Sequence, residues 1–146
     1  MPTPSAPTTD ACIRQAFKLA NGKAGHAPTA KPGYLKHASG RWRSPEMHEQ
    51  ILAAYTQAHA LEPKNDFAIY SRALEHMHVG HFDLAEQDLA QLVAAGSNYA
   101  IGTLPVNLYL HKGDRPTANK HLDVLNARNK AKGLPRQTLA DFEMWH

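Results

Sequence analysis

Two short phrases in this chain are nearly the same phrase. Gly80-His81-Phe82-Asp83-Leu84-Ala85 and Gly113-Asp114-Arg115-Pro116-Thr117-Ala118 lie 33 residues apart, and the match continues at Leu89 and Leu122 and at Leu92 and Leu125. A glycine turn followed by an apolar helical period, repeated at that interval, is the mark of a stacked helical array. Units of such an array bury their apolar faces against neighbours, and none brings a catalytic site with it. The question becomes what the stacked surface holds.

The remaining elements follow from caps and periodicity. Asp10 as N-cap predicts a helix through Ala20 that turns Ile13, Phe17 and Leu19 or Ala20 inward and stops at Asn21-Gly22. Residues 23–43 hold Gly25, Pro28, Pro32, Gly33 and Gly40 without sustained period, which predicts a long connection with one helical turn around Tyr34 to Ala38. Ser44-Pro45-Glu46 combines an N-cap, a first-position proline and a first-turn acid, so a helix runs from there to about Leu61 on an apolar face of Met47, Ile51, Leu52 or Ala54, Tyr55 and Ala58. A helix over 66–79 carries Phe67, Tyr70, Leu74 and Met77 on one stripe and Ile69 and Ala73 on the next. Its hairpin partner over 83–95 turns Leu84, Ala85, Leu89 and Leu92 inward and ends at Gly96.

Residues 98–112 and 116–132 form the next predicted hairpin, with Ala118, Leu122, Leu125 and Ala127 inward on the second helix. Gly102 and Pro105 imply that its first helix is kinked or starts late. A final helix over 135–145 covers the open end of the stack with Leu139, Phe142 and Trp145. The expected organisation is a flexible tail at 1–9, an N-terminal helix and basic connection at 10–43, and a helical domain at 44–146.

These hairpins resemble the tetratricopeptide repeat family, over about two and a half repeats in residues 44–132. One repeat supplies Gly80, Phe82, Ala85, Leu89 and Leu92, with Gly96-Ser97-Asn98 where the family has Pro-x-Asn. The next supplies Gly113-Asp114, Ala118, Leu122 and Leu125, with Tyr109 at the aromatic position of its first helix. Tyr55, Ala58, Pro63 and Asn65 fit the end of a preceding repeat. The departures are a first helix missing or replaced by residues 10–22, Arg72 and His76 where small or apolar residues are usual, and Pro105. The resemblance implies an all-α fold of antiparallel helical hairpins stacked as a short right-handed superhelix with a C-terminal capping helix.

It also implies a concave groove for a partner's peptide or helix. The groove is expected to carry Phe67, Tyr70, Leu74, Met77 and His78 from one hairpin and Ala100, Thr103, Asn107, Leu110 and His111 from the next. Such a surface suits an amphipathic segment. The opposing reading makes the stripe plain core against residues 10–22. Family members that grip a chain-terminal carboxylate do so with Lys and Asn. The matching places here, Leu74 and Asn107 among them, keep one suitable side chain, so that mode is not expected.

Charge is distributed in blocks. Residues 11–45 contain Arg14, Lys18, Lys23, Lys31, Lys36, Arg41 and Arg43 and no acid, whereas 46–111 are acidic, within a net charge of +3. The basic stretch, with Lys31, Lys36, Arg41 and Arg43 as its surface and Phe17, Tyr34 and Trp42 among its cations, offers a second reading: a nucleic-acid or acidic-surface accessory protein. A blander account lays this stretch across the acidic middle of the same molecule.

Cys12, the only cysteine, rules out an intrachain disulfide and a four-cysteine zinc site, and reads as a small apolar side chain. Histidines number ten. His76, His78 and His81 crowd one helix end, yet residues two apart on a helix diverge and no His-Glu-x-x-His pattern occurs. His48 and His59 lie three turns apart, so no metal and no cofactor is expected. Phosphate loops, nucleophile elbows and paired catalytic carboxylates are not seen, and no catalytic residue is assigned. With no membrane-length apolar run and no signal-peptide pattern, the chain reads as a soluble, bacterial-type adaptor, chaperone-like holder or toxin inhibitor, in cytoplasm or periplasm; an export signal already removed would leave no trace.

Overall fold

The structure is a computed structural model that describes residues 7–21, 26–27, 33–37 and 42–143. It is mostly helical. Helices α1 (Thr9–Asn21), α2 (Pro45–Leu61), α3 (Asp66–His78), α4 (Phe82–Ala94), α5 (Thr103–Lys112), α6 (Arg115–Ala131) and α7 (Leu139–Glu143) follow one another, with a 3-10 turn at Asn98–Ile101. Helices α2, α3 and α6 start on side-chain caps. Ser44 Oγ accepts from Met47 N at 3.1 Å, Asn65 Oδ1 from Phe67 N at 3.1 Å, and Asp114 Oδ1 from Thr117 N at 3.2 Å.

Helices α3 to α6 end in one shared closure. Gly80, Gly96, Gly113 and Gly133 all adopt positive φ. The next amide then reaches back to the carbonyl five residues earlier: His81 N to His76 O at 2.8 Å, Ser97 N to Leu92 O at 3.0 Å, Asp114 N to Tyr109 O at 2.8 Å and Leu134 N to Asn129 O at 2.7 Å. This is the glycine-dependent Schellman closure, which satisfies the last orphan carbonyls of a helix.

Packing is by consecutive hairpins: α1 on α2, α3 on α4 and α5 on α6, with α2 against α3 and α4 against α5 joining them. The central core is Ile69, Ala73 and Met77 of α3, Ala85, Leu89 and Leu92 of α4, and Leu104 and Leu108 of α5. Toward the N-terminus, Ala16, Ile51 and Tyr55 form one cluster and Cys12, Ile13, Ala58 and Ala68 another. At the other end, Phe142 of α7 packs with Val106, Leu122 and Leu125, and Leu139 lies against them. No helix among the described residues is long and apolar enough to cross a membrane.

Four local expectations change. Leu35–Lys36, expected in a helical turn, is a short strand β2 that pairs antiparallel with β3 (Trp42–Arg43), which also pairs with β1 (His26–Ala27); Ala38 lies outside the described residues. Phe17 and Leu84, expected inward, are 40% and 43% exposed because the buried faces run through Cys12/Ala16 and Ala85/Leu89 instead. Ala127 is exposed while Asn129 is buried. The final helix, expected from residue 135, begins only at Leu139. The helix over 98–112 starts late, as Gly102 and Pro105 imply: it begins at Thr103, which places Pro105 in the first turn of α5, where its missing N–H costs nothing. Residues 1–6 of the expected tail, Lys31, Arg41 and Trp145 lie outside the described residues.

Candidate functional site

Spacing of four on one helix makes a row, and two such rows meet here. On α3 the row is Tyr70, Leu74 and His78; on α5 it is Thr103, Asn107 and His111. Tyr70 shares a side-chain hydrogen bond with Thr103 at one end, and the His78 and His111 rings are 6.4 Å apart at the other. The two helices therefore run in the same direction, side by side. Between the ends, Leu74 is half-buried and Asn107 carries a buried Oδ1 with no hydrogen-bond partner.

Aromatic rings extend the first end of the rows. Phe17 meets Phe67 edge-on at 5.8 Å, Phe67 lies 6.1 Å from Tyr70, and Tyr70 stacks on Tyr99 at 4.5 Å. Phe17 and Tyr99 are 40% and 36% exposed, whereas Phe67 and Tyr70 are half-buried. Burial pushes the Tyr70 hydroxyl pKa up, opposed by its bond to Thr103. The result is a continuous half-exposed ring surface across α1, α3 and the 3-10 turn.

The histidine end is closed over by the inserted sheet. His37, just after β2, brings its ring 4.9 Å from His78, and Arg43 of β3 is buried with Nε 3.5 Å from Glu75 Oε1 on α3. Burial pushes the His78 pKa down, with the Glu75 charge opposing. Of the residues expected to form the groove, Phe67, Tyr70, Leu74, Thr103, Asn107, His78 and His111 are thus brought together. Met77 sinks into the central core, and Leu110 packs with the α6 and α7 cluster. Arg43, expected on a basic surface, is 1% exposed and faces Glu75, while Lys36 is exposed.

A second polar assembly lies where α2, α3 and α4 converge. The same Glu75 Oε1 lies 3.0 Å from His48 Nδ1, and Asp88 is gripped by Arg72 through Nε at 3.1 and 3.0 Å and Nη2 at 2.6 Å. Arg72 Nη1 also donates to Thr56 Oγ1 at 3.1 Å. His76 Nε2 lies 3.9 Å from Asp88 Oδ2. One ring nitrogen each from His48, His76 and His81 fall within 4.8 Å of one another, so these three are the residues able to hold a metal ion among those described. The spacing argument rightly separates His76 from His78, but His48 comes from a helix 28 positions away and escapes any local pattern. The chain matches no protein-family model, no curated protein and no solved structure.

Proposed function

We propose that this protein acts by binding rather than by catalysis. It holds an amphipathic segment of a partner protein along the ring surface of Phe17, Phe67, Tyr70 and Tyr99, in a tetratricopeptide-like stack of hairpins. The observation that carries this reading is the unbroken line of half-exposed rings across three elements. Rings that are rigid and only partly covered supply contact area at little entropic cost, and they favour a segment that brings apolar anchors at helical spacing. Fixed charge is sparse along the two rows, which suits an anchor-driven contact more than attraction to phosphate.

A displayed library of helical and extended peptides, selected on the purified chain, tests this. The expected result is enrichment of amphipathic sequences whose binding tolerates salt and is lost in Tyr70→Ala and Tyr99→Ala, with the helical circular dichroism unchanged. Binding that falls steeply with salt and is insensitive to both tyrosine changes would instead favour the nucleic-acid reading.

A further inference from the structure

The duplicated phrase differs at one chemically telling place. In the second copy, Asp114 follows the glycine and caps α6 through Thr117 N. In the first copy, His81 follows the glycine and makes no side-chain cap to α4. Its amide makes the same closure to His76 O that Asp114 makes to Tyr109 O, but the His81 ring lies back toward the end of α3. There it lies 5.4 Å from the His48 ring and 6.4 Å from the His76 ring, and those two are 6.0 Å apart. A favourable cap is given up for a three-imidazole triangle.

We propose that His48, His76 and His81 form a binding site for a single divalent transition-metal ion of the zinc class. The ring nitrogens are prepared for it. The carboxylate of Glu75 accepts from His48 Nδ1, which leaves Nε2 for a metal; Nδ1 of His76 and Nδ1 of His81 are buried with no hydrogen-bond partner. Tetrahedral ligation at about 2.1 Å sets ligand nitrogens roughly 3.4 Å apart, so closing from 4.8 Å takes about 1.4 Å in the widest pair, shared between two side chains and within reach of their rotation.

Glu75 is hydrogen-bonded behind the His48 imidazole, the arrangement that orients metal-bound histidines, and Asp88 lies 3.9 Å from His76 Nε2. Each carboxylate is already paired with an arginine, Glu75 with Arg43 and Asp88 with Arg72. The inner ligands are therefore neutral nitrogens, which select zinc, cobalt, nickel or copper over calcium and magnesium. His81 is half-buried beside an open pocket lined by Gly80, Phe82, Asp83, Leu84 and Lys112, so a fourth ligand or a water can approach from that side. An ion there ties α2, α3 and the start of α4 together.

The test uses the full untagged chain, stripped with chelator and titrated with zinc against a chromophoric competitor, and with cobalt followed by its visible ligand-field bands. One ion per chain is expected, with bands of tetrahedral, nitrogen-rich ligation. His81→Asn removes the ligand while supplying a better helix cap, so it should fold at least as well as the parent and bind at least tenfold more weakly. His121→Ala, a histidine stacked on Tyr109 at 5.2 Å and outside the triangle, should bind normally. No saturable uptake at micromolar zinc, uptake unchanged in His81→Asn, or loss in His78→Ala but not in His81→Asn would each overturn the proposal.

Discussion

Arg43 Nε lies 3.5 Å from Glu75 Oε1, with the two side chains 2% and 5% exposed. This contact fastens strand β3, which precedes α2, to the middle of the helical stack. Burial alone would raise the Glu75 pKa, but the His48 hydrogen bond and the Arg43 charge outweigh it and hold the carboxyl below its usual range. Removing one partner leaves the other charge buried. Glu75→Ala should cost about 3–5 kcal/mol in urea denaturation of the metal-free chain, and the double change Arg43→Met with Glu75→Met should recover much of that loss.

The fork of Arg72 onto Asp88 joins three helices through one guanidinium. Lysine keeps the charge but has no planar fork. Arg72→Lys should therefore lower stability by about 2 kcal/mol, and thermal denaturation with an Asp88→Asn double-mutant cycle reads the coupling directly.

At Gly80 and Gly113 φ is +82° and +86°, and an added Cβ meets nothing within 4 Å at either. Any penalty is then backbone strain alone. Gly80→Ala and Gly113→Ala should each cost about 1–2 kcal/mol; equilibrium unfolding of both single variants checks this, and the pair reads how far the two costs add.

Side-chain and backbone hydrogen bonds from Thr117, helped by the charges of Lys112 and Lys120 against a small burial penalty, hold the Asp114 carboxyl below its ordinary range. A depressed carboxylate stabilises the fold above its unfolded pKa, near 4, and that contribution fades as pH falls through the lower folded value. Asp114→Asn retains a cap but does not titrate. Its thermal stability should fall less between about pH 5 and pH 2 than that of the parent.

Tyr99 reaches Tyr70 across the seam between the second and third hairpins. Tyr99→Ala should cost about 1 kcal/mol in chemical denaturation, the worth of an offset ring pair beyond area burial. Selected amphipathic peptides should lose far more affinity than that modest change explains, as isothermal titration would show.

Local signals in the sequence placed most helices. Ser44-Pro45, Asn65, Gly80, Gly96 and Gly113-Asp114 each act within a few residues, and the helix boundaries fall close to them. What eluded the sequence depends on distance. Arg43 and Lys36 look alike in a row of cations, yet only the strand pairing and Glu75 decide that Arg43 is buried and Lys36 is not. The triangle of His48, His76 and His81 needs two helices and a turn to exist. Its one visible trace was the histidine standing at position 81 where the parallel phrase has aspartate at 114.

The four glycine closures make the ends of α3 to α6 a standard joint. Backbone geometry at these joints is settled by the glycine and its returning amide, whichever residue comes next: His81, Ser97, Asp114 or Leu134. The following position is thus left to serve a different local purpose at each joint: Asp114 caps α6 and Ser97 caps the 3-10 turn, whereas His81 makes no side-chain cap. Protein engineers could exploit this by grafting ligands or apolar anchors at position 134, where the closure is the same but Leu134 is exposed and caps no helix.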